Sequence, residues 1–365
     1  PCVNQRVARL RERMAESGLD AVLVSNAQNR RYLSGFSGSA GWLLITPDDA
    51  VIATDSRYYE QSARQAPDFR LHRAVEQTAE WMPGLLASLA GKRVGLEAGD
   101  VSYATYRSLR KAAESLPQGE RPRLVPTQNL VEGIRAIKEP EEIEAIQAAV
   151  DLGDAAFSEV ARRIEPGWTE KQAAWEMEKY IREHGGEGLA FDTIVAAGPW
   201  GAMPHAYPRD EAIEEGESVV IDVGVRLDGY TSDLTRTIVL GKPDDRFRQI
   251  YDIVLTAQLA AEELIEPGMS GEQAHLLGQR VIEEAGYGEH FGHGLGHGVG
   301  LEVHEAPRVG KTSKDVLAEG MVFTIEPGIY ISDWGGVRIE DLVVLEKGRV
   351  RALSHAAKLL NECGP

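Results

Sequence analysis

Cysteine occurs only twice, at Cys2 and Cys363, so the chain offers neither a disulfide framework nor the clustered thiolates of a cysteine-based zinc site. A reducing cytoplasm is the expected setting. Long hydrophobic runs are lacking too: stretches such as AVLVSN (21–26) are strand-sized, far short of the roughly 20 residues that cross a bilayer. No membrane association is expected. The opening PCVNQRVARLRERMAESGLD is a charged amphipathic helix pattern without the apolar core of a secretory signal. Basic charge is in deficit, 39 Lys and Arg against 57 Asp and Glu, and a surface carrying a formal −18 repels phosphate backbones. Nucleic acid is therefore excluded from the expected partners.

What is present is an ordinary globular composition, 43% hydrophobic and 26% charged, in a chain of 365 residues that can fill two cores. In the first third, helix-like and strand-like segments alternate. AVLVSN is followed by GWLLITPDDAVIATDSRYYEQSARQAP, where two apolar strands flank a polar turn, and then by the strand RVGLEAGD and the helix YATYRSLRKAAESL. This predicts a small α/β domain. The polar, proline-bearing PQGERPRLVPTQ (117–128) breaks the periodicity and places a boundary near residue 130, giving domains 1–130 and 131–365. The second opens with one long helix pattern, KEPEEIEAIQAAVDLGDAAFSEVARRI, with Pro140 and acidic residues in its first turn.

A repeat lies inside that second domain. IEPGWTEKQA (164–173) and IEPGMSGEQA (265–274) share six of ten residues, and in each Pro-Gly makes a turn and Thr or Ser caps a following helix. Two copies predict a domain of two similar halves, with a cleft between them.

Several acidic residues stand where core residues belong. In SVVIDVGVRLDGYTSDLTRTIVLG (218–241), Asp228-Gly229 is a two-residue hairpin signal. That turn sets Gly224 opposite Asp233 and makes Asp222 its diagonal neighbour, close enough for two short carboxylates to share a cation. In MVFTIEPGIYISDWGGVRIEDLVVLEKG (321–348), Glu326 ends an apolar strand and Glu340 interrupts another, with Arg338 on the same face. A charge in such a place is unfavourable unless it is compensated.

The segment HFGHGLGHGVGLEVHE (290–305) holds four of the nine histidines. Its glycines miss the spacing of a dinucleotide loop and no GK[ST] follows, which removes a phosphate cradle. An imidazole with four carboxylates is instead a ligand set for a pair of divalent cations.

In the settings VVIDVG, TSDLTRT, GHGVG, TIEPGIY and VRIEDLV, the ordered residues Asp222, Asp233, His297, Glu326 and Glu340 resemble those of the metalloaminopeptidase family with the pita-bread fold. Within it the chain is most similar to the Xaa-Pro dipeptidases (prolidases) and Xaa-Pro aminopeptidases. NRRYLSGFSGSAG (29–41) and ATDSRYYEQSA (53–63) resemble the N-terminal domain of those groups, so the likeness spans essentially the whole chain. It implies an α/β (α+β) protein, with a small creatinase-like N-terminal domain and a pseudo-symmetric pita-bread domain after it.

The resemblance also implies roles. Asp222 would chelate one metal, Asp233 and Glu340 would bridge two, and His297 and Glu326 would complete the second site. A water between the cations would attack the scissile carbonyl, with Glu326 moving its proton. His304 would stabilise the oxyanion, His205 would contact substrate or the leaving nitrogen, and His293 would wall the pocket. His290 would be a bystander. Arg308 would take the free carboxylate of a dipeptide, and Arg338 would hold a metal-binding carboxylate from behind. The implied reaction is hydrolysis of Xaa-Pro dipeptides. Xaa-Pro aminopeptidase action on longer peptides is the alternative, and a metal-free binding module or creatinase-like enzyme a remoter one. Two metal ions per chain are implied, with Mn²⁺ suited to the oxygen-rich set and Co²⁺ or Zn²⁺ open. A homodimer is implied as well, in which the N-terminal domain near Arg31 to Phe36 partly covers the neighbour's cleft.

Overall fold

The structure, a computed structural model, describes residues 2–75 and 77–358. Cys363 lies outside them. The chain divides into two compact units, one reaching Arg135 and one beginning at Ala136.

The first unit is built on a six-stranded mixed sheet. Ala21–Val24 runs antiparallel to Trp42–Ile45, which turns back into Ala50–Thr54; on its other side it runs parallel to Arg93–Glu97. Leu23, Val94 and Leu96 meet Leu109 and Ala112 of the helix Tyr103–Glu114 and Met82 and Leu86 of the helix Thr78–Leu86 in the core of this unit. The stretch 117–128, expected to break the structure, contributes the strand Arg123–Thr127, parallel to Arg93–Glu97 at the sheet's edge. An edge tolerates Pro126 because one row of its backbone groups has no strand to bond. The strand Arg70–Arg73 and the helix Ala27–Ser34 carry too few apolar positions to show periodicity.

In the second unit the repeated motif is written into the backbone. Both IEPG turns of the repeat precede a capped helix, Glu170–Glu183 under Thr169 and Gly271–Glu284 under Ser270. Gly167 N donates to Ile213 O and Ile213 N to Trp168 O; equivalently, Gly268 N donates to Leu317 O and Leu317 N to Met269 O. Both glycines take positive φ, 96° and 93°, which only glycine adopts without strain. Each capped helix pairs with a longer one, Pro140–Arg163 or Asp245–Leu264, over an antiparallel sheet with its own core. The first sheet joins Ile194–Ala197, Ser218–Val223 and Leu234–Val239; the second includes Gly296–Gly298, Glu305–Val309, Val322–Ile325 and Asp341–Glu346. The unit therefore has the two related halves of the pita-bread arrangement.

The hairpin register is the expected one. Asp222 pairs with Thr235, and the same register runs on to Leu227 and Tyr230 around Asp228 and Gly229, whose φ of 45° and 71° suit a type I′ turn. Asp222 and Asp233 are thus diagonal neighbours. The segment VRIEDLVVL, read as one strand, is in fact two: Gly335–Arg338 pairs with Gly328–Ile331, while Asp341–Glu346 pairs with Val322–Ile325. Ile339 and Glu340 form the break, because the flanking strands bond to different partners.

Candidate active site

A cavity of about 540 Å³ lies in the second unit, lined by all ten residues singled out from the sequence. Asp222 comes from the strand Ser218–Val223, and Asp233 immediately precedes Leu234–Val239. His297 sits in Gly296–Gly298, Glu326 follows Val322–Ile325, and Glu340 stands at the break described above. His205, His293, His304 and Arg308 complete the walls with apolar Phe191, Ile194 and Val309.

Three potential ligand atoms, one each from Asp233, His297 and Glu340, lie within 4.8 Å of one another. His297 Nε2 is 3.6 Å from Asp233 Oδ2 and 3.5 Å from Glu326 Oε1. The His297 Nδ1 faces Gly298 O at 3.2 Å, which fixes the ring proton there and leaves the Nε2 lone pair pointing at the carboxylates. Burial, then the neighbouring His304, lowers the His297 pKa to about 4, so the ring is neutral.

Behind these groups runs a hydrogen-bonded layer. Arg338, 3% exposed, donates from Nη2 to Asp222 Oδ2 at 2.7 Å, from Nε to Thr235 Oγ1 at 3.0 Å and from Nη1 to the Tyr330 hydroxyl at 2.9 Å. Thr235 Oγ1 donates in turn to Glu340 Oε2 at 2.6 Å. His293 receives the Tyr330 hydroxyl at Nε2, 2.9 Å, and faces Gly294 O through Nδ1 at 2.7 Å. Burial lowers its pKa to about 4, helped by the charge of Arg338. His290 is exposed, its Nδ1 against Tyr330 O at 3.2 Å. Tyr330 escaped the sequence reading because nothing in GIYISD distinguishes it from a core tyrosine. Thr235 was legible in principle, since alternation places it beside Asp233 and opposite Asp222.

The electrostatics are one-sided. Burial raises all four carboxyls. Glu340 and Asp222 push Asp233 further up, Glu326 and Asp222 do the same to Glu340, and Asp222 adds to Glu326, which reaches about 8. Arg338 opposes the rise in Asp222 but leaves it above its ordinary value. Among the described residues the buried Asp222 Oδ1 has no hydrogen-bond partner. Arg308 is exposed at the cavity, with its backbone fixed by Asp315 and Ser313 and no partner on its guanidinium among the described residues.

A neutral imidazole and four crowded carboxyls at the base of a peptide-sized cavity are the makings of a metal-dependent hydrolase. Residues 144–347 match metallopeptidase family M24, and residues 6–137 match the Creatinase/Prolidase N-terminal domain. The chain belongs to family M24 and is a hydrolase. It is 38% identical over 360 residues to the Xaa-Pro dipeptidase of Pyrococcus horikoshii, covering 98% of this chain and 99% of that one. Among solved structures it resembles the Xaa-Pro dipeptidase from Bacillus anthracis, with a TM-score of 0.93, 37% identity and coverage of 98% and 99%. The X-Pro aminopeptidase from Thermotoga maritima is also similar, with a TM-score of 0.87, 36% identity and coverage of 97% and 98%. Among the described residues no helix is long and apolar enough to cross a membrane.

Proposed function

We propose that the chain hydrolyses Xaa-Pro dipeptides with the help of divalent cations held by Asp222, Asp233, His297, Glu326 and Glu340. The observation that carries the reading is the convergence of acceptors. The His297 lone pair faces oxygens of Asp233 and Glu326, and Asp222 Oδ1 is buried without a donor among the described residues. Acceptors this close are repulsive until a cation or shared protons stand among them. The donor set therefore fits hard divalent cations, Mn²⁺ first and Co²⁺ or Zn²⁺ after it. Bound there, the cations would supply Lewis acidity toward the scissile carbonyl and acidify water.

The chain's own groups do the rest. Glu326, whose Oε1 lies 3.5 Å from His297 Nε2, carries a proton from water toward the leaving amine. His304 faces the developing oxyanion, and burial lowers its pKa. His205, which also lines the cavity, contacts the substrate or the leaving nitrogen, and His293 meets the proline ring. Arg338 holds Asp222 from behind, since its guanidinium is already engaged. Arg308, exposed and unpaired at the cavity, takes the C-terminal carboxylate of a dipeptide.

The experiment is metal analysis of the purified protein, with turnover of Ala-Pro, Ala-Pro amide and Ala-Pro-Ala. Two ions per chain and a strong preference for Ala-Pro are expected. Equal or faster cleavage of the tripeptide would make the protein an Xaa-Pro aminopeptidase with the same site. The reading includes a cytoplasmic homodimer, supported by family resemblance and scarce cysteine. A fully active monomer in light scattering would remove the dimer.

A further inference from the structure

Lys138 lies outside both matched spans, 6–137 and 144–347. Its Nζ is 2.7 Å from Glu305 Oε1, and the two side chains are only 1% and 4% exposed. Burying two charges removes about as much free energy as their attraction returns, so such a pair is weak evidence for stability. Its geometric consequence is more telling. The Lys138 backbone is fixed to the 320–321 turn, its N donating to Gly320 O at 2.8 Å beside the bridge between Ile137 and Met321. Glu305 opens the strand Glu305–Val309 and follows His304 directly. Its other oxygen accepts from Glu302 N at 3.3 Å. Gly300 leaves room for the carboxylate, since a β-carbon there would lie 2.5 Å from Glu305 Oε1. The Gly300 carbonyl is held in turn by Thr231 N and Oγ1 at 2.8 and 3.0 Å.

His304 stands in the bend immediately before the strand Glu305–Val309, so the backbone that carries its ring is set by the residue next to it, Glu305. Glu305 turns inward to Lys138; His304 lines the cavity, its ring centroid 4.2 Å from that of His297. We propose that the buried Lys138–Glu305 pair aims His304, which makes Lys138 a positioning residue for the reaction. The proposal rests on the reading of His304 as the oxyanion partner.

Lys138→Met keeps the side-chain length and removes the charge. It is expected to lower kcat on Ala-Pro by about 10–100-fold, the scale of a catalytic group misplaced by roughly 1 Å. KM and bound metal should change by less than about 3-fold. In a His304→Ala background the same substitution should lower kcat by less than about 2-fold, because the group it aims is gone. Equal factors in the two backgrounds, or loss of metal, overturn the proposal.

A second readout needs neither substrate nor metal. The His304 imidazole signal of nitrogen-15-histidine protein, assigned by its loss in His304→Ala, should move in Lys138→Met. It should stay in Lys171→Met, which removes an exposed pair with Asp210. An unmoved signal in Lys138→Met refutes the aiming role. Should that variant fail to fold, the isosteric Glu305→Gln serves in both comparisons. A wild type that cleaves no Xaa-Pro dipeptide sinks the dipeptidase reading, while the spectra still decide this one.

Discussion

Removing metal from the site should make stability fall as pH rises from about 6.5 to 8, where the histidines are neutral in both states, while below about 6.5 the lowered His293 and His297 oppose that fall. In the metal-free fold, burial holds the Glu326 carboxyl up to about 8, against an ordinary value of 4.5. Between those values the folded state keeps a proton that the unfolded chain has released, so the stability Glu326 contributes falls as pH rises. Below about 4.5 both states hold the proton and above about 8 both have lost it, and the change levels off. At about 1.4 kcal/mol per pH unit the full interval corresponds to roughly 4–5 kcal/mol. The Glu326 side chain is 18% exposed, and water there reduces the expected loss to on the order of 2–4 kcal/mol. Asp233, raised by burial and then by Glu340 and Asp222, and Glu340, raised by burial and then by Glu326 and Asp222, add to the same slope. A divalent cation favours the ionised forms, so it should stabilise the fold more at pH 8 than at pH 5 and release protons as it binds. Burial also raises Asp154 to about 6 and Glu262 to about 7, but they lie away from the cavity, so their slope persists with metal and cancels in the difference. The assay is urea denaturation from pH 5 to 9 with chelator and with Mn²⁺, beside an indicator-dye measurement of proton release. Equal metal stabilisation at both ends of the range, or no proton release, would refute the electrostatic account of the site. Glu326→Gln should flatten part of the chelated slope.

Asp233→Asn and Glu340→Gln should each abolish metal loading and hydrolysis, because each carboxylate is read as serving two ions; metal analysis with near-normal turnover would contradict the dinuclear assignment. His304→Ala should keep its metal yet lose about 10²–10³ in kcat, the scale of one oxyanion donor, whereas an effect confined to KM would demote it to a binding residue. Arg308→Ala should shrink the preference for Ala-Pro over its amide by roughly 30-fold or more in kcat/KM, since a charge-assisted pair across an interface is worth about 2–5 kcal/mol. An unchanged preference would place the carboxylate elsewhere.

The sequence alone determined what the local rules govern. Asp228-Gly229 carries the positive φ of a tight hairpin turn, and with that turn fixed, period-two alternation sets Asp222 diagonal to Asp233. The repeated IEPG turns and their Thr and Ser caps specified the same backbone ties in both halves. Charged residues at core positions were legible because nothing in a strand excuses them. Other features depended on which strands met. VRIEDLVVL has the letters of one strand, yet its ends pair with different neighbours, and only that divergence puts Glu340 at a break that lines the cavity. Arg123–Thr127 is a strand because Arg93–Glu97 offers it an edge, not because of its own pattern. Tyr330 joins Arg338 to His293, and Lys138 reaches Glu305 across 167 positions of chain. Contacts between residues so far apart leave no periodicity, for they are fixed by how the elements pack and not by propensity or spacing along the chain.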